Sequence, residues 1–237
     1  MILTAHQPVY LPWLGLFHKI SLADLFIYFD QVQYQPKDWN NRNKIKVNNG
    51  ELLLSVPVKT KGHRQKNISE IEINNDIPWQ RKHWKSIKFA YEKSPYFSTF
   101  ACFFDELYNS RVWTNLTELN LHMLRWFLMV LGIDVELRLA RDYNFTGYKS
   151  ELVRDMCLKL GANMYIFGAL GKDYSDIESF TKSGISLLFQ DYIHPVYPQQ
   201  YGDFIPNLSI IDLLFNCGPN SLKILQNNNA TKNDIVT

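Results

Sequence analysis

The chain has 237 residues, of which 46% are hydrophobic and 20% are charged, and its formal net charge is +2. This composition is typical of a globular protein that is large enough to bury a sizeable core in one or two domains. A charge so close to zero argues against bulk electrostatic capture of nucleic acid or of an anionic membrane.

The sequence predicts a cytoplasmic location. Three widely spaced cysteines form neither a metal-binding motif nor a disulfide framework, so we expect buried free thiols in a reducing compartment. The N-terminus has no basic segment followed by an apolar core, and no run reaches the roughly 18 apolar residues that span a bilayer. We therefore expect neither a secretory signal nor membrane insertion.

The N-terminal region is predicted to form a parallel β-α-β unit. Continuous apolar runs at residues 1–5 and 25–30 indicate two buried strands. The spacing of apolar residues over 13–23 indicates the helix that joins them. Residues 44–60 alternate around Asn49-Gly50, which indicates a β-hairpin.

The remainder of the chain is predicted to be helical first and then to alternate between helices and strands. The predicted helices, bounded by proline, glycine and capping signals such as Asp76 before Pro78, span residues 78–93, 97–109, 115–131, 150–160, 174–183, 209–215 and 221–226. The predicted strands span residues 135–139, 164–167 and 185–189.

Strands and helices thus alternate at both ends of the chain, which predicts an α/β fold with a mainly parallel sheet flanked by helices. A nucleotidyltransferase-like or Rossmann-like arrangement fits this pattern. We expect a single catalytic domain over residues 1–226, with a helical subdomain inserted at about 78–131. The Asn-rich tail at 227–237 is expected to be disordered.

The loop after the first predicted strand is the most informative stretch of the chain. It contains His6, Gln7, Tyr10 and Trp13, together with two prolines at positions 8 and 12 that stiffen it. In open α/β sheets, ligands bind outside the carboxyl ends of the strands, so this loop is a candidate site. A histidine there can contact phosphate, act as an acid or base, or simply end the strand.

Two charged residues near this loop are further candidates. Lys19 lies on the predicted first helix, where a solvated helix face is an equally simple explanation. Asp30 closes the second predicted strand, where a carboxylate is well placed for a ribose hydroxyl, an amine or Mg²⁺. A turn cap is the structural alternative for Asp30.

The densest polar group follows the second strand and consists of Trp39, Asn41, Arg42 and Asn43, with Gln33 shortly before it. The guanidinium fork of arginine suits carboxylate or phosphate, and asparagine supplies donors and acceptors. An exposed turn would contain the same residue types. The basic stretch at 59–66 is expected to be an exposed, mobile loop, with a phosphate-closing lid as the alternative.

The second half of the chain contains a glycine-containing segment between a predicted strand and a predicted helix. It begins at Gly168 and ends at Tyr174, where backbone amides can approach a phosphate at a helix N-terminus. It has the spacing of neither a P-loop nor a dinucleotide-binding motif.

An extended aromatic loop and a polar helix face complete the candidates. Tyr197 lies in the loop, and the spacing of Ser209, Asp212 and Asn216 places them on one face of a helix. Such a polar stripe usually lines a cleft or a network, although Ser209 alone also fits a helix N-cap. Motifs of serine hydrolases, zinc proteases and thiol enzymes are absent from the sequence, and we expect no metal site.

Taken together, these residues resemble the WbqC-like protein family over nearly the whole chain, to about residue 226. The matching positions are His6-Gln-Pro-x-Tyr10-x-Pro-Trp13-x-Gly15, Lys19, Asp24, Asp30-x-Val-Gln33, Asn41-Arg42, Gly168, Tyr174, Pro195-x-Tyr197 and Pro206-x-Leu-Ser209-Ile-Ile-Asp212-x-x-x-Asn216-x-Gly218. Family members occur in O-antigen and other surface-polysaccharide gene clusters, and a role as a glycine transferase has been suggested for some. The resemblance implies a cytoplasmic bacterial enzyme that acts on a nucleotide-linked amino sugar.

A second similarity is to the opening of HIGH-type nucleotidyltransferases, including pantothenate-synthetase-like amide ligases. Those enzymes use two histidines in the first loop to hold the phosphates of ATP. Here His6 is present, but Val9 or Tyr10 stands where the second histidine would be.

Our leading hypothesis is an acyl- or aminoacyl-(glycyl-)transferase that forms an amide on the amine of a nucleotide-linked amino sugar. In this hypothesis His6 is the base or a phosphate contact, and Asp30 orients or deprotonates the amine. Lys19 and Arg42 hold the diphosphate or the phosphate of the donor. Gln7 lies in the same loop as His6 and is a further substrate-binding candidate.

The same hypothesis assigns roles to the other candidates. Tyr10 and Trp13 stack on the sugar or base, and Ser209, Asp212 and Asn216 complete the pocket wall. The donor is an activated acyl group, carried by tRNA, by a thioester or as an adenylate made from ATP in place. Two alternatives stay open, an ATP-dependent nucleotidyltransferase or adenylating ligase, and a non-catalytic sugar-nucleotide-binding protein.

Overall fold

A computed structural model describes residues 1–59 and 66–236 of the chain. The elements in chain order are β1 (Ile2–His6), α1 (Leu14–Ser21), β2 (Leu25–Tyr28), β3 (Arg42–Val47), β4 (Gly50–Ser55), α2 (Trp79–Tyr91), α3 (Phe97–Asp105), α4 (Leu116–Leu131), β5 (Glu136–Leu139), α5 (Ser150–Leu160), β6 (Met164–Phe167), α6 (Ile177–Lys182), β7 (Ser186–Phe189), α7 (Ile210–Cys217), α8 (Ser221–Gln226) and α9 (Lys232–Val236).

Five strands form one parallel sheet in the order β5-β2-β1-β6-β7. The chain starts at the central strand, builds outward through β2 and β5, and then crosses back to build β6 and β7 on the other side. The direction of winding therefore reverses between β1 and β6, which is where such sheets bind ligands. The predicted α/β class, with a mainly parallel sheet flanked by helices, is confirmed.

The central strands are buried on both faces, which explains their continuous apolar sequences. All four residues of β2 are buried. In β1, the one polar side chain that is fully buried, Thr4, donates a hydrogen bond of 2.8 Å to the carbonyl oxygen of Ile166 in β6. That bond satisfies the hydroxyl and ties the two strands together at the reversal point.

The helices between β4 and β5 share one hydrophobic core with α1, the hairpin and α7. Aromatic rings dominate it, and the Phe103 and Trp126 rings stack with centroids 3.9 Å apart. Phe17 of α1 meets Phe127 of α4 edge to face at 5.7 Å. This contact fastens the helical region to the face of the sheet that α1 covers.

Several boundaries differ from the sequence prediction. The predicted hairpin forms from β3 and β4, but its strands cover residues 42–55 instead of 44–60. Val47 lies opposite Gly50, whose φ is +118°. Asp76 does not cap α2, because Pro78 occupies the N-cap position and no side chain accepts from the first turn. The helix predicted from residue 174 is instead a 3₁₀ turn at 169–173 followed by α6, with Asp176 as its cap.

The C-terminal segment, predicted to be disordered, packs against the body of the protein as far as residue 235. Asn229 exchanges two hydrogen bonds with the backbone of Ile193, at 2.8 and 2.9 Å. Lys232 forms an ion pair of 2.5 Å with Asp24. The Asn-rich composition suggested solvation, but an amide side chain also pairs with a free backbone segment, and here it does so.

Three further expectations concern single features of the chain. The basic stretch predicted as a loop or lid lies largely outside the described residues, which exclude 60–65. The three cysteines are unpaired; Cys157 and Cys217 are buried, whereas Cys102 is exposed. Among the residues described, no helix is both long and apolar enough to cross a membrane.

Candidate functional site

A cavity of about 610 Å³ lies at the carboxyl ends of β1, β6 and β7, at the point where the sheet reverses its winding. Its size falls within the range of about 300–1,000 Å³ that is usual for small-molecule sites. The residues that line it are Ala5, His6, Gln7, Trp13, Gly15, Leu16, Lys19, Phe29, Val32, Leu152, Val153, Met156, Tyr165, Phe167, Gly168, Ala169, Leu170, Gly171, Tyr174, Gln190, Asp191 and Tyr192. Six predicted site residues thus come together: His6, Gln7, Trp13, Lys19, Gly168 and Tyr174.

His6 is the last residue of β1, and its ring is held in one tautomer. Its Nδ1 lies 2.7 Å from the carbonyl oxygen of Gln7. Because a carbonyl only accepts hydrogen bonds, Nδ1 carries the proton and Nε2 keeps its lone pair. Burial lowers the pKa of His6 to about 3, and the positive charge of Lys19 adds to this effect. The ring is therefore neutral at physiological pH, with Nε2 available as a proton acceptor.

Lys19 lies one to two turns into α1 and brings a cation to the cavity. Its Nζ donates a hydrogen bond of 3.0 Å to the carbonyl oxygen of Ala5. Burial lowers the pKa of this amine to about 8, so it is mostly protonated at pH 7. Within the described part of the chain it forms no ion pair with a carboxylate. Its positive charge is therefore available to an anionic ligand or to a developing negative charge.

The first turn of α1 borders the cavity because Gly15 permits close packing there. A Cβ at Gly15 would lie 2.9 Å from Nε1 of Trp13 and 3.0 Å from Cδ1 of Tyr192. Trp13 in turn meets the His6 ring edge to face, with centroids 5.3 Å apart. The glycine thus lets two aromatic rings close around the start of the helix.

The segment after β6 forms the opposite side of the cavity entrance. Gly168 precedes the 3₁₀ turn at 169–173, and Gly171 within that turn lies against Phe167. A Cβ at Gly171 would be only 2.5 Å from Cβ of Phe167, so no larger residue fits. Tyr174 packs edge to face on the same Phe167 ring at 5.8 Å.

The segment after β7 supplies a wall that the sequence did not reveal. Gln190 donates a hydrogen bond of 2.8 Å to the carbonyl oxygen of Gly15, which joins this segment to α1. Asp191 and Tyr192 follow it in the cavity wall. The strand was predicted at 185–189, so the rule that ligands bind at carboxyl strand ends would have found these residues.

A second unforeseen wall is apolar and comes from α5. Leu152, Val153 and Met156 line the cavity together with Phe29 and Tyr165. The cavity therefore has a polar side near β1 and α1 and an apolar side under α5. In the sequence, these α5 residues match the core-facing stripe of any amphipathic helix, so no local signal separates cavity wall from filled core.

Tyr10, expected to stack on a ligand, lies in the protein core instead. Its hydroxyl is 2.7 Å from Nδ1 of His83 and 2.5 Å from the hydroxyl of Tyr108, and its side chain is fully buried. The loop turns away from the cavity between Gln7 and Trp13. Tyr10 thus anchors the loop to the helical region.

Asp30, expected to act on the substrate amine, does not line the cavity. It is fully buried, and its Oδ2 lies 3.1 Å from Nε of Arg141. Burial raises the pKa of Asp30, whereas the guanidinium opposes that shift. Arg141 also binds Glu118 at 3.0 Å. The carboxylate therefore ties the end of β2 to the segment after β5.

The polar group at Trp39, Asn41 and Arg42 also lies away from the cavity walls. The Arg42 guanidinium lies 5.7 Å from the centre of the Trp39 ring and donates to the carbonyl of Lys37. Asn41 donates a hydrogen bond of 2.7 Å to the carbonyl oxygen of Val56. These side chains contact the backbone and one another at the entry to the hairpin. Gln33 forms an isolated bridge with Asn67, likewise outside the cavity.

The predicted polar face of α7 is buried in a separate network. Asp212 is fully buried and accepts a hydrogen bond of 2.8 Å from Tyr91. Burial raises the pKa of Asp212 to about 6, although hydrogen bonds from Tyr91 and Tyr197 oppose the shift. Asn216 donates to the backbone carbonyl of Asp212 at 2.7 Å, and Ser209 is the N-cap of α7. This network joins α7 to its neighbours and adds nothing to the cavity wall.

Within residues 1–59 and 66–236, no group of three or more His, Cys, Asp or Glu side chains is arranged to hold a metal ion. The chemistry that the cavity itself supports rests on a neutral imidazole, a lysine cation and an apolar wall. This combination suits a neutral nucleophile that loses a proton beside a group that gains negative charge.

The chain matches the sequence model of the WbqC-like protein family over residues 7–224. It is 35% identical over 213 residues to Rv1507c, an uncharacterized protein of Mycobacterium tuberculosis (strain ATCC 25618 / H37Rv), and the alignment covers 90% of this chain and 92% of that protein. No solved structure matches.

Proposed function

The chain belongs to the WbqC-like protein family, and on that basis we propose that it is a transferase that forms an amide on the amine of a nucleotide-linked amino sugar. The acyl or aminoacyl group, glycyl among them, comes from an activated donor such as aminoacyl-tRNA or an acyl thioester. The reaction serves O-antigen or other surface-polysaccharide biosynthesis in the cytoplasm.

The observation that carries this proposal is the state of His6 in the cavity. Its Nδ1–H is held by the Gln7 carbonyl, and Nε2 has no hydrogen-bond partner among the described residues. An attacking amine must lose a proton as its new bond forms, and a positioned neutral imidazole accepts it. Amide formation is thus a reaction for which this ring is already in the required tautomer.

The chemical step follows from His6 and Lys19 together. The amine nitrogen attacks the acyl carbon, a C–N bond forms, and the carbonyl π electrons move onto its oxygen. Nε2 of His6 takes the proton from the nitrogen, and the Lys19 ammonium stabilises the oxyanion. When the intermediate collapses, the bond to the leaving group breaks, and the protonated imidazole returns the proton to that group.

The low proton affinity of His6 is consistent with this role. Removal from water and the nearby Lys19 charge keep the ring neutral before substrate binds. The negative charge that develops during attack neutralises Lys19 and favours imidazolium, so the proton affinity of the ring rises during the reaction. Asp30 and Arg42 are not needed for this chemistry.

The test is a product assay on the purified protein. It is incubated with UDP-, GDP- and dTDP-linked amino sugars and with glycyl-tRNA or acyl-CoA, and mass spectrometry detects the added acyl group. We expect one acceptor to gain the acyl mass. His6→Gln should lower the rate by about a hundredfold or more, as loss of a general base usually does.

The matched control is His122→Gln. His122 lies on α4, stacks on Phe103 and does not line the cavity. We expect its rate to stay within about twofold of the unmodified protein, since surface substitutions away from a site are close to neutral. Equal losses in both variants, or sugar-nucleotide binding without turnover for every donor, would refute the transferase assignment and favour a binding protein.

One observation favours a second candidate, an ATP-dependent adenylating enzyme. The cavity lies at the reversal point of the sheet, beside the first turn of α1, as nucleotide phosphates do in doubly wound folds. This candidate predicts that ATP raises the melting temperature in the absence of any sugar nucleotide, and that pyrophosphate is released when an acid substrate is added. ATP without effect on either readout would exclude it.

A further inference from the structure

A second cavity, of about 290 Å³, adjoins the first one. Phe29 and Leu152 line both cavities and form the boundary between them. The smaller cavity lies at the carboxyl ends of β2 and β5, where Gln31 follows one strand and residues 140–147 follow the other. Its volume is close to the lower end of the range of about 300–1,000 Å³ for ligand sites, so it suits a single ring.

The polar side chains that line this second cavity are neutral. They are the amides of Gln31 and Asn144 and the phenol of Tyr143, and none of the lining side chains carries a charge. Arg138 and Lys159 bond to Tyr143 and Asn144, but each is already paired with a carboxylate. The lining therefore offers a phosphate or carboxylate no unpaired cation, whereas hydroxyl and amide groups find both donors and acceptors. The lining thus selects an uncharged, polar ligand.

Aromatic faces accompany these amides. The Tyr143 and Phe145 rings stack with centroids 5.1 Å apart and an angle of 13° between planes. Phe145 also lies 6.5 Å from Phe29 at the boundary with the first cavity. A flat aromatic surface packs against the C–H faces of a sugar ring, while neighbouring amides bind its hydroxyl groups.

The loop that forms this cavity is held in shape from α5. The backbone N–H of Thr146 donates to the Asp155 carboxylate at 2.8 Å. Lys159 binds the same carboxylate at 2.8 Å and also the carbonyl oxygen of Asn144. Gly147 has φ +98°, and a Cβ there would lie 3.0 Å from the backbone nitrogen of Leu152. A loop anchored in this way is preorganised for a ligand rather than formed around it.

Gln31, by contrast, is free to turn toward a ligand. Its amide makes two hydrogen bonds, to Asp30 and from Asn67, and both are long, at 3.4 Å. Exchanging such weak bonds for better ones with a hydroxyl group costs little. One weakly bonded amide in an otherwise anchored site is suited to turning toward a sugar.

From these observations we propose that the second cavity binds the sugar ring of the acceptor, with its amine directed across the Phe29–Leu152 boundary toward His6. This inference rests on the proposed function, because it names the site for the acceptor of that reaction. It also accounts for two adjoining cavities in a protein that must bring two substrates together. The donor's activated group then occupies the first cavity, where Lys19 lies.

The experiment is a titration followed by ¹H–¹⁵N NMR with assigned backbone amides. The probes are UDP-, GDP- and dTDP-linked amino sugars and the three nucleoside diphosphates without sugar. We expect at least one sugar nucleotide to shift the amides of Gln31 and of residues 143–147, and its nucleoside diphosphate to leave them unshifted. Sugar nucleotides that shift only the residues their diphosphates shift, or a panel in which nothing binds, would overturn the proposal.

Substitutions provide the second measurement. In calorimetry, Gln31→Ala and Asn144→Ala should each weaken sugar-nucleotide binding by about fivefold to tenfold, the usual effect of one lost hydrogen bond, and should leave the nucleoside diphosphate affinity unchanged. The control is Gln35→Ala, an exposed glutamine of the same loop that lines neither cavity. Equal affinities in all three variants would contradict the assignment.

These readouts separate the sugar site from the transferase reaction. Amide shifts at 143–147 without product formation would retain the sugar site and reject acyl transfer. Product formation with no shift at 143–147 would retain acyl transfer and reject this placement of the sugar.

Discussion

The imidazole of His18 and the side-chain amide of Gln190 are hydrogen-bonded, with His18 Nδ1 2.8 Å from Gln190 Nε2. Because an amide nitrogen only donates, Nδ1 is the acceptor and Nε2 of His18 carries the proton, which it donates to the carbonyl of Ala230 at 2.9 Å. Gln190 lines the main cavity, and Ala230 belongs to the C-terminal segment. One ring therefore connects the end of the chain to the wall of the site.

Removing the C-terminal segment should destabilise the protein and disturb the cavity. A chain that ends at Asn228 loses both Asn229 bonds to Ile193, the partner of His18 and the Lys232–Asp24 ion pair. We expect the free energy of unfolding, measured in urea, to fall by about 2–3 kcal/mol, at roughly 1 kcal/mol for each lost hydrogen bond.

The control for this truncation is Lys232→Met in the full-length chain. The Lys232–Asp24 pair is exposed for more than a third of each side chain, so its loss should cost less than about 1 kcal/mol. If the truncated chain is as stable as this single variant, the contacts of residues 229 and 230 do not stabilise the fold.

Stability should decrease with falling pH because His6 is held neutral. Its pKa is about 3 in the folded protein and near 6.5 in the unfolded chain, so the unfolded chain binds the extra proton between these values. The contribution of His6 is complete above pH 6.5 and is lost progressively down to about pH 3. Between pH 6.5 and 5 this loss is about 2 kcal/mol, at about 1.4 kcal/mol per pH unit.

The measurement is urea unfolding at pH 7 and pH 5. In His6→Gln the stability difference between the two pH values should shrink by about 2 kcal/mol, because the titrating group is gone. His122 is exposed, so His122→Gln should shrink that difference much less. An unchanged pH dependence in His6→Gln would show that the ring is not kept neutral by the fold.

Two glycines of one segment should respond differently to the same substitution. Gly171→Ala places a Cβ 2.5 Å from Cβ of Phe167, close to the backbone where it cannot be displaced easily. We expect a loss of about 1–3 kcal/mol, as for other overpacked positions. Gly168→Ala has no heavy atom within 4 Å of the new Cβ and should leave stability almost unchanged. Thermal unfolding of both variants tests this; equal melting temperatures would contradict it.

The Asp30–Arg141 pair should matter for stability rather than for ligand binding. Arg141→Gln leaves the fully buried Asp30 carboxylate without its cation, which typically costs about 3–5 kcal/mol for a buried pair. Arg141 is a third exposed, so the lower end, about 3 kcal/mol, is expected here.

Arg42→Ala, outside the cavity, should change neither sugar-nucleotide affinity nor stability by much. A loss of sugar-nucleotide binding in Arg42→Ala, measured by calorimetry, would show that Arg42 belongs to the ligand site.

Local patterns in the sequence were enough to predict much of the fold. Helix α5, with Gly161 after it, and strand β6 were predicted with their observed ends at 150–160 and 164–167. Apolar periodicity and glycine at φ > 0 act over a few residues, so their consequences can be deduced from those residues alone. His6 was predicted to follow the first strand and is the last residue of β1, so that prediction was one residue from the observed strand end.

The roles of Tyr10, Asp30 and Asp212 could not be deduced in this way. The local sequence around a polar residue in an apolar stretch is the same whether its side chain faces a cavity or a buried hydrogen-bond partner. For Tyr10 the partners are 73 and 98 residues away, and for Asp212 the partner Tyr91 is 121 residues away. The packing of elements that are distant in the sequence decides which hydrogen-bond partner each of these side chains has.

The sequence by itself therefore determined the α/β class, most elements and the position of His6 at the end of the first strand to within one residue, because these depend on interactions between near neighbours in the chain. The tertiary structure alone decided which polar residues line the cavity, that Gln190 and α5 form its walls, and that the C-terminal segment packs against the body of the protein. Those features depend on which distant segments pack together, because that packing determines which side chains are buried and which hydrogen bonds form.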